Sequence, residues 1–212
     1  MSHAFVALDH PHDVRPEPFL LGILRSRSTG TRWLAAEFIT RTYYLHRGMS
    51  FTYDGLDASE YWSALRFYGA MVTEREYETL ELLNSAEATT AKERKRLAPR
   101  VFDVVVWSPM GEHDLPEGHV AVVVQVEDDV EAAGGEDRLR ELRNLRLQPR
   151  LLYIAEQNFD NTHWGDKNYS RVLRFQWQNG KEAVLQDPLG LPIIGWVRPG
   201  KPKQNTDVED DL

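Results

Sequence analysis

Apolar positions along this 212-residue chain recur first at helical spacing and later at extended spacing. From Thr31 to Arg47, the residues Trp33, Leu34, Phe38, Tyr44 and Leu45 form much of one helical face, and Gly48 stands where such a helix would stop. In Asp57-Ala58-Ser59-Glu60 the Asp can cap free amides and the Glu can reach back, which predicts a second helix carrying Tyr61, Trp62, Leu65 and Phe67 up to Gly69. A third is predicted from Thr73-Glu74-Arg75-Glu76 toward Leu83. The polar stretch 87–99, EATTAKERKRLAP, reads as a solvated helix end or connector.

After Pro99 the period changes to two. The β-branched runs at 101–107 and 119–126 read as buried strands, and 150–157, 169–178, 182–187 and 193–198 continue the series. Asn179-Gly180 is a two-residue hairpin signal between two of them. Between the second and third strands, 127–149 is an insertion whose Leu139, Leu142 and Leu145 suggest a short amphipathic helix. Residues 1–27, with Pro11, Pro16 and Pro18, read as an extended proline-rich arm, and 199–212 as a polar acidic tail that is disordered when free. The organisation expected is an α+β domain over 28–198, with N-terminal helices packed on a C-terminal antiparallel β-sheet.

Composition narrows the function classes. With 42% hydrophobic residues the chain can bury a real core, roughly 70% of its unfolded surface. No window approaches the ~18–20 apolar residues of a membrane span, and the first residues lack the charged and apolar regions of a secretion signal, so a soluble, cytoplasmic protein is expected. A net charge of −8 argues against broad nucleic-acid binding while leaving room for local basic patches. The chain has no cysteine, which excludes disulfides, thiolate metal sites and a cysteine nucleophile. His10, His12 and Asp13 lie close together without a second ligand cluster, so neither a metal nor a cofactor is expected. Ser28, Thr29 and Thr31 near the first helix start fit capping better than replacement nucleophiles.

A helix start, a strand opening with Gly118-His119 and another closing in Ile154-Ala155-Glu156-Gln157-Asn158 have the layout of papain-like cysteine amidases. There a nucleophile at a helix N-terminus gains from the free amides, a histidine on a neighbouring strand acts as base, and a carboxylate or amide fixes the imidazole. Read without that layout, Glu156 in an apolar strand calls for a partner, and His119 is the natural one.

The runs Trp33-Leu34-Ala35-Ala36-Glu37-Phe38, Asp103 to Trp107, Gly118 to Val123, Ile154 to Asn158, Tyr169-Ser170-Arg171 and Gly195-Trp196-Val197 resemble, in that order, the amidase (CHAP) domain of glutathionylspermidine synthetase/amidase and trypanothione synthetase. The resemblance spans roughly residues 20 to 198 and implies a papain-like CHAP fold that cleaves the amide between glutathione and a polyamine. It implies His119 as the catalytic base, Glu156 as the acid orienting it, and Trp33, Glu37, Gln157 and Asn158 as substrate-binding residues. Position 35, where the family has its nucleophilic Cys, is Ala35; Leu34 stands at a family Gln and Thr40 at a family Arg. Two readings follow. One is a natural pseudoenzyme serving as a binding or structural module in a protein assembly, with 1–27, 127–149 and 199–212 as candidate partner contacts. The other is a thiol amidase acting on glutathionylspermidine or a related peptide-polyamine amide, its Cys replaced by Ala35.

Overall fold

The computed structural model describes residues 35–52, 62, 65–69, 75–111, 115–160 and 162–203. The expected arm 1–27, the metal candidates His10, His12 and Asp13, Trp33, Leu34 and the acidic stretch from 204 onward lie outside the described residues.

The first helix, α1 (Ala35–Arg47), buries Phe38, Ile39 and Tyr43, and the chain leaves it through Gly48 at φ +59°, whose N–H donates to the Tyr44 carbonyl at 3.1 Å. The strands are β1 (Met49–Thr52), β2 (Arg66–Gly69), β3 (Glu76–Leu83), β4 (Ala86–Glu87), β5 (Val104–Trp107), β6 (His119–Asp128), β7 (Arg150–Ala155), β8 (Arg171–Gln178), β9 (Glu182–Gln186) and β10 (Ile193–Pro202). They form one sheet in the order β1-β2-β3-β10-β5-β6-β7-β8-β9-β4, with every pairing antiparallel. The helix α2 (Ala91–Leu97) precedes β5, and α3 (Val130–Ala133) and α4 (Glu136–Leu145) fill the connection from β6 to β7. Leu139 on α4 is fully buried, so the expected amphipathic helix of the 127–149 insertion is present. Among the described residues no helix is long and apolar enough to cross a membrane.

Two stretches expected to be helical contain strands. Residues 66–69 form β2 and 76–83 form β3, so the helices predicted for 57–69 and 73–83 do not describe these segments. The Glu- and Leu-rich sequence of β3 favours a helix intrinsically, but pairing with β10 on one side and β2 on the other overrides that preference. Once extended, β3 sends Leu80 and Leu82 to one face and Tyr77 to the other. The sheet therefore draws strands from both halves of the chain rather than from the C-terminal half alone. At its other end β10 runs beyond residue 198, where the tail was expected to begin. Pro199 is tolerated because the β5 pairing has already ended at Val197, which leaves that side of the strand free of ladder bonds.

The sheet curls on itself. β3 pairs with β10, and β4, across the turn at Asn84-Ser85, pairs with β9, so one chain segment touches both ends of the six-strand run from β10 to β9. Asn84 holds the closure: its Nδ2 donates to the carbonyls of Leu185 on β9 (3.0 Å) and Ile193 on β10 (3.2 Å), and its Oδ1 accepts from Leu185 N–H at 2.8 Å. Inside the curl lie Val105, Trp107, Ala121, Val123, Leu152, Ile154, Phe175, Leu185 and Trp196. The alternating residues Val104, Val106, Val120, Val122 and Val197 face outward and pack under α1 with Phe38, Ile39 and Tyr43.

Gly195 on β10 lies beneath the Trp62 ring, opposite the carbonyl of Leu82, and a methyl built on it would penetrate the van der Waals surface of both. Gly195→Ala is expected to lower stability by ~2–3 kcal/mol, seen as a lower urea midpoint with unchanged slope, because neither a strand backbone nor a packed indole can give way.

Candidate functional site

At the mouth of the curl, where β6 begins and β7 ends, polar side chains form a buried network. His119 is 2% exposed, and its Nε2 lies 2.9 Å from Oε2 of Glu156, which is 4% exposed. Strand register sets Trp107 opposite His119 and brings Arg171, the first residue of β8, beside Ile154 at the end of β7. From there Arg171 uses all three guanidinium nitrogens: Nε and Nη2 donate to the two Glu156 oxygens at 2.7 and 3.2 Å, and Nη1 donates to Asp187 Oδ2 at 2.7 Å. The indole N–H of Trp107 donates to the same Asp187 oxygen at 2.9 Å, and Ser170 Oγ donates to Glu156 Oε1 at 2.6 Å. Aromatic rings surround these charges. The His119 ring centre is 5.5 Å from that of Trp107 and 5.2 Å from that of Phe159, and the Arg171 guanidinium lies 3.9 Å from the Phe159 ring centre.

Four hydrogen bonds converge on one carboxylate, and this decides its state. Burial alone would push the Glu156 carboxyl up; the bonds from His119 and Arg171, with their charges, outweigh it and bring it down to about 2. Asp103, at the other end of β5, is a useful contrast. It is equally buried, but among the described residues it accepts from Arg198 Nη2 at 2.7 Å and the Arg100 N–H at 2.8 Å alone, and burial pushes it up to about 7 against the pull of Arg198.

Ala35 opens the described part of α1, 9% exposed, in the outer cluster with Val120 and Ala155, the immediate neighbours of His119 and Glu156. Strand alternation turns the side chains of 119 and 156 the other way, toward the inner face that holds Trp107. The structure thus joins His119 to Glu156 directly and sets position 35 under the opposite face of the same strands. Glu37 is ion-paired with Arg41 one helical turn on, at 3.0 Å, and Thr40 Oγ1 donates back to the Ala36 carbonyl. Gln157 follows the dyad with a buried Oε1 that has no hydrogen-bond partner among the described residues. Asn158 is exposed at φ +57°, a left-handed conformation that Asn tolerates.

Arg171, Asp187 and Trp107 were not expected to belong to the site. Arg171 opens β8 and Asp187 follows the end of β9, but which charges meet there depends on strand register that the sequence does not display. With fold and site together, the chain is an α+β protein with a large antiparallel sheet and a few helices. Compared with known proteins, it matches no family model and none of the curated proteins.

Proposed function

We propose that the chain is a CHAP-amidase-like domain of papain-like fold that performs no amidase chemistry and serves as a binding or structural module in a protein assembly. The observation that carries this reading is the commitment of Glu156: its two oxygens already accept from His119, Ser170 and Arg171, so the dyad is tied into a charge network that holds the mouth of the sheet closed. Amide hydrolysis by this family's chemistry needs a nucleophile within hydrogen-bond reach of the imidazole. Position 35 offers a methyl group packed on the far side of β6. A second reading, a thiol amidase lacking only its sulfur, draws on one feature: with Nε2 bonded to Glu156, His119 Nδ1 has no hydrogen-bond partner among the described residues, and that nitrogen is the one such an enzyme would turn to its thiol.

Ala35→Cys separates the two. The expected result is a folded variant that releases no spermidine from glutathionylspermidine, with an alkylation profile against pH like that of an ordinary thiol near pH 8.5. Turnover, with a thiol titrating well below that value, would replace the binding-module reading by the amidase.

A further inference from the structure

Away from the mouth, a cavity of ≈ 180 Å³ is lined by Arg94, Lys95, Arg100, Arg146, Arg150 and Trp177, with Ala98 and Gln148 completing the wall. Five cationic side chains on one small cavity are unexpected in a chain of net charge −8. Three of them are positioned by backbone carbonyls: Arg94 donates to Leu145 and Thr89, Arg100 to Lys95, and Arg150 to Pro99. Such bonds aim a guanidinium without neutralising it. Among the described residues, the one side-chain ion pair to this group is from Asp128, 3.9 Å from Arg150 Nε, and the other Asp128 oxygen is held by Arg143 at 2.6 Å. Arg150 reflects the crowding: burial lowers its proton affinity, and Arg100 and Arg146 push the same way against Asp128. Oriented, uncompensated guanidinium groups around a concave wall are the arrangement that recognises multiply charged oxyanions.

We infer that this cavity binds the diphosphate group of a small ligand. The volume is that of about six waters at ~30 Å³ each, below the range of pockets that enclose drug-sized molecules, so it suits a pyrophosphate-sized anion and not a length of nucleic acid. Trp177, edge-on to Phe175 at 5.3 Å, forms an aromatic wall against which the rest of such a ligand would lie.

The test is calorimetric titration of the full chain at low salt with inorganic pyrophosphate, orthophosphate, ADP and a single-stranded oligonucleotide. Pyrophosphate or ADP is expected to bind at least tenfold more tightly than orthophosphate. ADP ahead of pyrophosphate points to a nucleotide, the reverse to the free inorganic ion. Lys95→Gln and Arg146→Gln remove exposed side chains that make no hydrogen bond among the described residues, so each variant should keep its fold and weaken binding about tenfold. Lys92→Gln, on α2 but outside the cavity lining, should change nothing. No heat at millimolar pyrophosphate, equal binding of orthophosphate, undiminished binding in the Lys95/Arg146 double variant, or an oligonucleotide that outcompetes both diphosphates would each overturn the inference.

Discussion

Arg171→Met is expected to cost ~3–5 kcal/mol of stability at neutral pH, because it strands two buried carboxylates, Glu156 and Asp187, while leaving the aromatic box around them intact. The deficit should depend on pH with a definite sign. In the native chain Glu156 titrates at about 2 instead of the ordinary 4.5, so its contribution is complete above pH 4.5 and is lost as the pH falls toward 2. Without the guanidinium, His119 is left to oppose burial without Arg171's bonds and charge, and the carboxyl is driven upward from its native position, so the variant regains ground on acidification while the native chain loses it. Urea titrations of both proteins from pH 7 to pH 3 should converge, and parallel curves would refute this account of the network. Arg171→Lys should recover only part of the loss, since one ammonium cannot hold both Glu156 oxygens and Asp187 in the forked geometry of the three nitrogens.

Asn84→Ala comes next, at about 2–4 kcal/mol. The amide satisfies the Leu185 N–H, the Leu185 carbonyl and the Ile193 carbonyl at once, and its removal leaves three backbone groups at the seam short of partners. Hydrogen exchange gives a local check, because the Leu185 amide should lose protection more than the amides of β6 and β7. Asn84→Asp should be at least as damaging: it keeps the acceptor but sets a carboxylate against two carbonyl oxygens. A variant as stable as the parent would mean that β4 alone closes the sheet.

What was legible in the sequence was what local pattern controls. Runs such as Val104-Val105-Val106-Trp107 announce strands because β-branched side chains suit a pleat buried on both faces, and all four are buried. Asn179-Gly180 announces a turn because both residues take positive φ, +51° and +70°. Illegible was whatever long-range pairing decides. Residues 76–83 are helix formers held extended by β10, from more than a hundred positions downstream. The partners of His119 divide along the same line. An apolar strand with a lone Glu156 calls for a partner and points to His119, whereas the joint hold of Arg171 and Trp107 on Asp187 exists only once β5, β8 and the end of β9 are side by side.

The place of β10 in the sheet bears on how the molecule is made. This strand is the last of those described, yet it lies between β3 and β5, joining the β1–β3 layer to the remainder. A chain leaving the ribosome N-terminus first must carry two unfilled edges, one on β3 and one on β5, until Ile193–Pro202 emerges to occupy the slot between them. Open edges of this kind are templates for pairing with other chains, and their closure over so great a sequence separation is intrinsically slow. Truncations that remove β10 should therefore yield a sticky intermediate rather than a smaller version of the fold. During synthesis, the period before this strand arrives is when the protein most needs a chaperone.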